Sequence, residues 1–397
     1  MANKQDDAGA CKGDQCFSDE TFLVHDQRYD KGAVSPPIYQ SSLFSFASYE
    51  HMLARFRGDT DEALYSRVDN PTVAVFEQKM AQLERGDEAI AFGSGMAAIS
   101  NAILSVVQAG DQILCIDHVY PDAYRFLRGF CKRFSIEVKF VDGSDIAAIS
   151  EMLKTTKLFY LESPNSWMME QQDLAAIAKL AKAHNVTTIV DNSWATPLYQ
   201  KPLELGIDIV VHSASKYLSG HSDTVAGVVV AKQFYIDQIR QNISPFLGGK
   251  LSANEAWLLT RGLRTLPLRM ERHHNSGLQI ANALKEHSLV SQVHHPAFSQ
   301  ESAPSLSGFG SLFSFSLSEQ VDIAKFCDGL TIFRLGVSWG GYESLVIPAQ
   351  AVVDQAGEFN SAKDFGVSAR VVRLFIGLEN PDELWRDIAQ ALENATE

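Results

Sequence analysis

The sequence predicts an α/β fold, in which a seven-stranded, mostly parallel sheet is followed by a smaller C-terminal α+β domain. The first observation is that short apolar runs rich in β-branched residues alternate with helical stretches from about residue 88 to residue 231. This alternation is typical of βαβ units, which build parallel sheets. The second observation is that the alternation stops past Lys232, where long helical stretches precede a few short strands. This change indicates a second domain of a different class.

The composition limits the possible partners and the cellular compartment. The chain has 397 residues, of which 34 are Lys or Arg and 48 are Asp or Glu, so its net charge is −14. A surface with this balance argues against general binding to nucleic acids or anionic membranes, and we expect neither partner. Five scattered cysteines and the lack of an apolar leader predict a cytoplasmic protein without a disulfide framework. Cys11 and Cys16 lie in the first segment and are given no role.

Three segments are predicted along the chain. Residues 1–60 have weak periodicity and are interpreted as an arm that contacts a neighbouring subunit. Residues 61–257 form the large domain, and residues 258–397 form the C-terminal domain. Seven apolar runs are predicted as strands of the large domain: Ala89–Phe92, Gln112–Asp117, Glu137–Val141, Leu158–Leu161, Thr187–Val190, Asp208–His212 and Val225–Ala231. The gaps between the last three are short, so one of these strands is expected to run antiparallel.

The elements past Lys232 are predicted from the same patterns. The stretch Pro245–His287 is mostly helical, and a final helix is expected over Pro381–Glu393. Short strands are expected at Leu312–Leu317 and Val371–Ile376. Together these elements predict the smaller α+β domain.

Ligands of open α/β sheets bind beyond the carboxyl ends of the strands, so polar residues at those ends are candidate site residues. The first candidate is the turn Gly93-Ser94-Gly95 after the strand that ends at Phe92. Glycines allow a close backbone approach, and the N-terminus of the following helix offers free N–H groups to a phosphate. The motif G-x-G-x-x-A, with Asp117 at the next strand end, fits a dinucleotide site as well as a simpler phosphate turn.

The second candidate is Asp191, which ends a largely apolar strand. A carboxylate is costly to bury unless it has a partner, and a protonated ring nitrogen would be a suitable one. The alternative is that Asp191 caps the turn or helix that follows it.

The third candidate is Lys216, which follows the next strand along the chain. A lysine at this place acts as a nucleophile or base if its surroundings lower its pKa, whereas a lone lysine is more often a surface charge. Ser213 and Ser215 alternate, so on an extended chain both hydroxyls point to one face and can bind a phosphate.

Taken together, the three strand ends favour pyridoxal 5'-phosphate (PLP) over a dinucleotide. They supply a phosphate turn, an acid for a protonated pyridine nitrogen and a lysine for a Schiff base, which PLP requires and a dinucleotide does not. The histidines lack the spacing of metal ligands, so no metal site is predicted.

Three longer motifs resemble a known family: Asp191–Trp194, Ser213–Asp223 and Arg261–Leu266. From about Pro36 to its C-terminus, the chain resembles the Cys/Met-metabolism group of PLP-dependent enzymes. This group includes cystathionine β-lyase, cystathionine γ-lyase, cystathionine γ-synthase and methionine γ-lyase. The resemblance implies the aspartate-aminotransferase-like fold of fold type I, PLP as the cofactor and a small amino acid as the substrate. It also implies at least a homodimer and usually a homotetramer.

The resemblance implies roles for the candidate residues in cofactor binding. Lys216 would hold PLP covalently and shuttle protons, while Asp191 would pair with the pyridine nitrogen. Tyr120 would stack on the cofactor ring and act as an acid or base. The implied phosphate contacts are the backbone of Gly95 and Met96, the hydroxyls of Ser213 and Ser215, and Tyr65 and Arg67 of a neighbouring subunit.

On the substrate side, the resemblance implies that Arg373 clamps the carboxylate and that Ser338 helps through its backbone. Tyr65 also belongs to the implied substrate contacts. Ser166 lies where the family contacts the region of the ring hydroxyl.

The reaction is predicted from shorter stretches. Leu161–Ser166 and Ser338–Leu345, with Trp339 after Ser338, resemble bacterial cystathionine β-lyases, so β-elimination of cystathionine to homocysteine, pyruvate and ammonia is predicted. Val337 instead resembles methionine γ-lyases, so a γ-lyase of methionine, cystathionine or another γ-substituted amino acid such as canavanine stays open. A γ-replacement synthase is a further alternative. Asp122 is either a contact for a cationic substrate tail or an exposed loop acid.

Overall fold

A computed structural model describes residues 17–26, 29–299 and 305–396. The seven apolar runs form the strands of one sheet: β1 Glu88–Phe92, β2 Gln112–Ile116, β3 Glu137–Val141, β4 Leu158–Glu162, β5 Thr187–Asp191, β6 Ile209–His212 and β7 Gly227–Ala231. Each lies within two residues of its predicted bounds. Six of these strands are buried over most of their length, which requires a continuous apolar run with clear ends, whereas the edge strand β3 is only partly buried.

The strand order in this sheet is β1-β7-β6-β5-β4-β2-β3. β2 to β6 pair in parallel with one another, whereas β7 is antiparallel to both β6 and β1. The antiparallel strand expected among the last three is therefore β7. Because β1 runs in the same direction as β4, β5 and β6, the polar ends of all four strands open on one edge of the sheet.

Sixteen α-helices are present in the described residues: α1 Asp19–Val24, α2 Tyr49–Arg57, α3 Pro71–Glu84, α4 Gly95–Leu104, α5 Pro121–Arg125, α6 Ile146–Met152, α7 Leu174–Ala183, α8 Thr196–Tyr199, α9 Gln233–Asn242, α10 Ser244–Leu247, α11 Ala253–Leu263, α12 Leu266–Lys285, α13 Ile323–Gly329, α14 Ala349–Val353, α15 Ser361–Asp364 and α16 Pro381–Asn394. Helices cover both faces of the large sheet. Ile189 and Val211 pack into one core and Val190 and Val210 into another, as the alternation of side chains along a strand requires.

The second sheet has the order β10-β11-β12-β9-β8, with β8 Val290–His294, β9 Leu312–Leu317, β10 Arg334–Leu335, β11 Leu345–Pro348 and β12 Val371–Phe375. β12 is fully buried and pairs antiparallel with β9 and β11. The second α+β unit is thus present, and the fold is the α/β architecture predicted from the sequence. The domain boundaries at residues 60 and 257 stay predictions.

The N-terminal segment is tied to its own chain. Asp19 pairs with Arg85 and Lys201, each at 2.9 Å. Asp26 pairs with Lys79 and Arg264. By contrast, α2 has no buried residue. Cys11 and Cys16 lie outside the described residues.

The remaining cysteines, Cys115, Cys131 and Cys327, are buried free thiols. In the part of the chain that the structure describes, no helix has the length and apolar character needed to cross a membrane.

Candidate active site

Lys216 lies in the turn that follows β6, where a loop of the second sheet contacts it. Its Nζ donates to Ser338 Oγ at 2.8 Å and lies 5.2 Å from the centroid of the Trp339 ring. Gly340 has φ +88°, and a Cβ there would come 2.8 Å from the Lys216 Cα. Only a glycine suits this position, so the loop 338–341 packs directly on the Lys216 backbone.

The surroundings of Lys216 lower its pKa from 10.5 to about 8. Burial disfavours the ammonium form, the Arg373 guanidinium repels it, and the Asp191 carboxylate opposes both effects. A considerable fraction of this amine is therefore neutral near physiological pH.

Asp191 ends β5 and is held by a chain of hydrogen bonds. Its Oδ1 accepts from the backbone N–H of Ser193 at 2.9 Å and from the Ser193 hydroxyl at 2.5 Å. The Ser193 Oγ in turn accepts from the backbone N–H of Ser213 at 2.7 Å, so the ends of β5 and β6 are joined. Burial raises the pKa of Asp191, while the Ser193 bonds and the charges of His212 and Lys216 oppose this rise. A cation placed at Oδ2 would offset the cost of burying the carboxylate.

The glycine turn after β1 lies against Ser213. A Cβ at Gly95 would come 2.8 Å from both Cβ and Oγ of Ser213, so these two predicted phosphate contacts are adjacent. Ser94 caps α4 by accepting from the Ala97 N–H at 3.0 Å. The backbone N–H groups of Gly95 and Met96 belong to the first turn, which has no intrahelical acceptors for them. A phosphate group would satisfy these donors.

The chain from Ser213 to Ser215 is not extended, so the prediction that alternation places both hydroxyls on one face is wrong. Residues 214–219 form turns rather than a continuation of β6. The Ser215 Oγ donates to the Ala226 carbonyl at 3.2 Å and accepts from the Ala226 N–H at 2.9 Å. This hydroxyl already has two backbone partners, and its role as a phosphate donor stays a prediction.

Tyr120 precedes α5 and contacts two acids. Its backbone N–H donates to Glu162 Oε2 at 2.8 Å, and its hydroxyl donates to Asp122 Oδ2 at 2.9 Å. Burial and the Asp122 charge raise the pKa of the Tyr120 phenol. The phenol is thus held as a proton donor in this arrangement.

Glu162 is a site residue that the sequence motifs do not predict; it ends β4 and pairs in register with Asp191. Its Oε1 accepts from the Ser166 hydroxyl at 2.7 Å, so Glu162 holds both Ser166 and Tyr120. Burial and the nearby Asp191 charge raise its pKa. The rule that singled out Asp191, a carboxylate at the end of a buried strand, applies equally to Glu162.

Arg373 lies in the middle of the buried strand β12 and reaches the loop that carries Ser338. Its Nη2 donates to the Val337 carbonyl at 3.3 Å, and its Cζ lies 4.9 Å from the centroid of the Trp167 ring. Burial lowers its pKa to about 10, and the Glu162 charge opposes this shift. A guanidinium has five N–H donors, so donors remain for a substrate carboxylate.

Tyr65 and Arg67 line a different cavity, of about 470 Å³, to which Ser41, Asn70 and Lys250 also contribute. The Arg67 guanidinium lies 5.6 Å from the centroid of the Tyr65 ring, and its Nη1 donates to Pro245 O at 3.4 Å. Within the single chain, Lys216 thus lies near Ser338, Trp339 and Arg373. Tyr65 and Arg67 line a separate cavity.

The described residues contain no cluster of three or more His, Cys, Asp or Glu side chains that could hold a metal ion. Two buried histidines pack against aromatic rings. His273 contacts Tyr217 and Phe375, and His295 contacts Phe313.

The site has the donor set that PLP requires. The first turn of α4 offers the N–H groups of Gly95 and Met96 for a phosphate. Asp191 offers a carboxylate for the ring nitrogen, and Lys216 offers an amine of lowered pKa. The residues present therefore fit this cofactor.

Comparison with known proteins agrees with this chemistry. The family described as "Cys/Met metabolism PLP-dependent enzyme" matches residues 20–393. An L-methionine gamma-lyase of Pseudomonas putida is 37% identical over 93% of this chain and 95% of its own. A cystathionine beta-lyase of Lactococcus lactis subsp. cremoris is 35% identical over 91% of this chain and 94% of its own. The crystal structure of a cystathionine gamma-lyase from Lactobacillus plantarum, complexed with L-serine, superposes with a TM-score of 0.88 at 35% identity, covering 96% and 99% of the two chains.

Proposed function

This chain belongs to the Cys/Met metabolism PLP-dependent enzymes, and from that premise we propose that it cleaves cystathionine by β-elimination. The reaction takes up one water and gives homocysteine, pyruvate and ammonia. The observation that carries the proposal is the position of Trp339, whose ring centroid lies 5.2 Å from the Lys216 Nζ. Trp339 is one of the residues by which the sequence resembles bacterial β-lyases, and its ring lies near the Lys216 amine.

Lys216 performs the proton transfers. PLP, when bound, supplies the electron sink that stabilises the negative charge left at Cα of the substrate. Because the pKa of Lys216 is lowered to about 8, its Nζ can take the Cα proton near neutral pH. The Ser338 hydroxyl, 2.8 Å from Nζ, holds the amine in place.

Arg373 binds the substrate carboxylate through a bidentate pair. Its buried position in β12 and its contact with the Trp167 ring fix the direction of the guanidinium. This clamp orients the Cα–H bond toward Lys216.

Tyr120 and Asp122 act at the leaving side of the substrate. Its raised pKa keeps the Tyr120 phenol protonated, so it can donate a hydrogen bond to the departing sulfur. Asp122 pairs with Arg125 and accepts from the Tyr120 hydroxyl, but its side chain is half exposed, and on this proposal its carboxylate also contacts the distal ammonium group of cystathionine.

A second candidate is γ-elimination, which is favoured by Val337. This small residue is 80% exposed, and its carbonyl accepts from Arg373. It resembles the residue of methionine γ-lyases at this place, and methionine γ-lyases are among the relatives. Methionine, cystathionine and canavanine are then the substrates to compare, and a γ-replacement synthase is the remaining alternative.

The test is product analysis of the purified, PLP-loaded protein with L-cystathionine. Pyruvate and homocysteine support β-elimination, whereas 2-oxobutyrate and cysteine overturn it in favour of the γ-lyase. If neither pair forms, the cystathionine proposal is wrong, and turnover of methionine and canavanine is measured next.

A pair of tryptophan variants tests the role of Trp339. Trp339→Leu should lower the ratio of pyruvate to 2-oxobutyrate, because it removes the ring that packs on the Lys216 amine. Trp385→Leu is the matched control, since Trp385 lies on α16 and contacts His287. An equal ratio of pyruvate to 2-oxobutyrate in the two variants would contradict the role proposed for Trp339 in β-elimination.

We also propose that the active form is at least a homodimer, with a homotetramer as the expected assembly. On α2, Tyr49, Met52 and Phe56 lie on one face at helical spacing, with 75%, 43% and 65% of their surface exposed. An apolar helix face of this kind favours burial against another chain. A second copy would cover it and bring Tyr65 and Arg67 to the phosphate of its partner's cofactor.

Mixing two inactive variants tests this subunit arrangement. Lys216→Ala and Arg67→Ala should each have little turnover alone. After joint refolding, mixed dimers would contain one intact site, so about a quarter of the wild-type activity should return. A mixture that stays inactive, although mixed dimers are detected by native mass spectrometry, would show that Arg67 serves its own chain.

A further inference from the structure

A buried acid–base pair lies behind the cofactor-binding edge, and none of the steps above uses it. The His212 Nε2 donates to Glu84 Oε1 at 2.6 Å, and both side chains are completely inaccessible to solvent. Asn192 Nδ2 donates to the same Glu84 oxygen at 2.8 Å. Glu84 therefore joins the residue that follows Asp191 to the residue that precedes Ser213.

The place of Glu84 is unfavourable for a carboxylate on two grounds. It is the last residue of α3, where the partial negative charge of the helix end repels an anion. It is also fully buried, which costs free energy unless partners compensate. Buried pairs of this kind seldom add net stability compared with apolar packing, so their presence points to a need for a specific geometry.

That geometry is the alignment of two strand ends. The Asp191 carboxylate is fixed by Ser193, and the Ser193 hydroxyl is fixed by the backbone N–H of Ser213. This chain stays intact only while β5 and β6 end at the same level. Glu84 holds both ends through a single oxygen, on the residues adjacent to Asp191 and Ser213.

We propose that Glu84 is a positioning residue for the cofactor, acting through Asn192 and His212 to hold Asp191 and Ser213 in their binding geometry. Glu84 touches neither PLP nor substrate in this role. It fixes the direction of the Asp191 carboxylate toward the ring nitrogen and the position of Ser213 beside the glycine turn.

The same helix offers a matched control. Glu77 lies two turns earlier on α3, is largely buried and accepts from the Ala91 N–H at 2.7 Å. This bond ends on Ala91 of β1 and not on β5 or β6, so Glu77→Met leaves the bonds of Glu84 to Asn192 and His212 intact. Replacing either glutamate by methionine removes a carboxylate from the same helix and leaves a side chain of similar size.

The first readout is the dissociation constant of PLP, measured on apoprotein without substrate. Glu84→Met should weaken PLP binding at least tenfold, whereas Glu77→Met should stay within twofold of wild type. Glu84→Gln keeps one oxygen acceptor for Asn192 and His212 and should restore most of the affinity. This rescue separates loss of the hydrogen bonds from loss of volume.

The second readout is the pH dependence of the visible absorption of the bound cofactor. A variant that only loosens the core would leave the pH midpoint of the absorption change as it is in wild type. Displacement of the Asp191 carboxylate would shift this midpoint. The Asp191 carboxylate interacts electrostatically with five other titratable groups: Tyr120, Tyr160, Glu162, His212 and Lys216. All five are retained in the Glu84 and Glu77 variants.

Equal PLP affinity and equal midpoints in Glu84→Met and Glu77→Met would overturn the proposal. If Glu84→Met does not fold, His212→Leu and His212→Gln replace it. The His212→Gln variant keeps a hydrogen-bond donor for Glu84, so it should bind PLP more tightly than the His212→Leu variant. Equal PLP affinity of these two variants would overturn the proposal. Because neither readout uses a substrate, the result is independent of which amino acid the enzyme cleaves.

Discussion

At the scale of single residues, the site depends on a lysine whose charge is made costly by its surroundings. Burial and the Arg373 guanidinium act together on the Lys216 amine, and the Asp191 carboxylate only partly compensates. The neutral amine is the form that attacks a carbonyl and accepts a proton. The environment of Lys216 therefore prepares it for both tasks before any substrate is bound.

Covalent capture of PLP by the apoprotein should follow the titration of Lys216. Only the neutral amine reacts, so the observed rate should rise with pH around a midpoint near 8 and then level off. Stopped-flow absorbance between pH 6 and pH 10.5 measures this profile. A midpoint near the ordinary lysine value of 10.5 would show that the surroundings do not favour the neutral amine. Lys216→Ala should bind PLP without covalent capture and lose nearly all turnover.

Arg373→Met should have two effects. The apparent KM for the amino acid should rise at least tenfold, because a charge-assisted pair contributes about 1.5–3 kcal/mol. The midpoint of PLP capture should also move to higher pH, because the cation that repels the Lys216 ammonium is gone.

Arg334→Met is the control for Arg373→Met. Arg334 is exposed on β10, two strands from β12 in the same sheet, so its loss should change neither KM nor the midpoint. An unchanged KM in Arg373→Met would show that another residue holds the carboxylate.

At the scale of elements, the glycine turn depends on the close approach of β7 to the start of α4. A Cβ at Gly227 would overlap the Ser94 carbonyl and come 2.9 Å from the Ala98 Cβ. The first turn of α4, which presents the N–H groups of Gly95 and Met96, thus rests directly on the backbone of β7.

Gly227→Ala should therefore weaken PLP binding about tenfold or more, because Ser94 must move and take the first turn of α4 with it. Gly329→Ala is the control, since its Cβ would make only an ordinary contact with Ala391 at 3.7 Å. Equilibrium binding of PLP to both apoproteins is the measurement. Equal PLP binding by the two variants would show that α4 tolerates a displacement of Ser94. The close contact between β7 and α4 would then not matter for PLP binding.

The elements also show where sequence patterns suffice. Strand bounds follow from local burial, so the run Leu312–Leu317 is confirmed without change and the final helix ends one residue later than predicted. The positions of Asp191 and Lys216 follow from the same patterns because strand ends are visible in the sequence. Alternation predicts that the Ser215 hydroxyl points to the same face as that of Ser213, but its direction depends on the turn that leads to Ala226.

Residues that act through distant partners are not visible in this way. Glu84 meets His212 across 128 positions of the chain, and Glu162 meets Tyr120 across 42. Their relevance depends on which strands become neighbours, and local periodicity does not contain that information.

At the scale of the whole molecule, two buried histidines link folding to pH. Burial lowers the pKa of His273 to about 4 and that of His295 to about 3, from an ordinary value of 6.5. In the unfolded chain both bind protons below pH 6.5, while in the folded chain they stay neutral. The free energy of unfolding should therefore fall as the pH drops from 6.5 toward 4, by up to roughly 1.4 kcal/mol per pH unit for each histidine.

The variant His295→Phe should have a shallower dependence of stability on pH in this window. Phe matches the neighbouring rings of Phe298, Phe309 and Phe313 and does not titrate, but it gives up the hydrogen bond that His295 Nδ1 accepts from the Ala297 N–H at 3.0 Å. Thermal unfolding from pH 4 to pH 8 compares the two proteins. Parallel curves for wild type and variant would exclude His295 as a source of the acid sensitivity.

The place of β1 in the sheet has a consequence for protein synthesis. β1 is an edge strand, and its sheet partner β7 begins about 135 residues later in the chain. At a translation rate of 5–20 residues per second, the ribosome needs roughly 7–27 s to supply that partner. During this interval the glycine turn has no β7 backbone to rest on. We expect nascent chains that end before β7 to remain accessible to chaperones and proteases. We also expect the glycine turn after β1 to be among the last parts of the large domain to form.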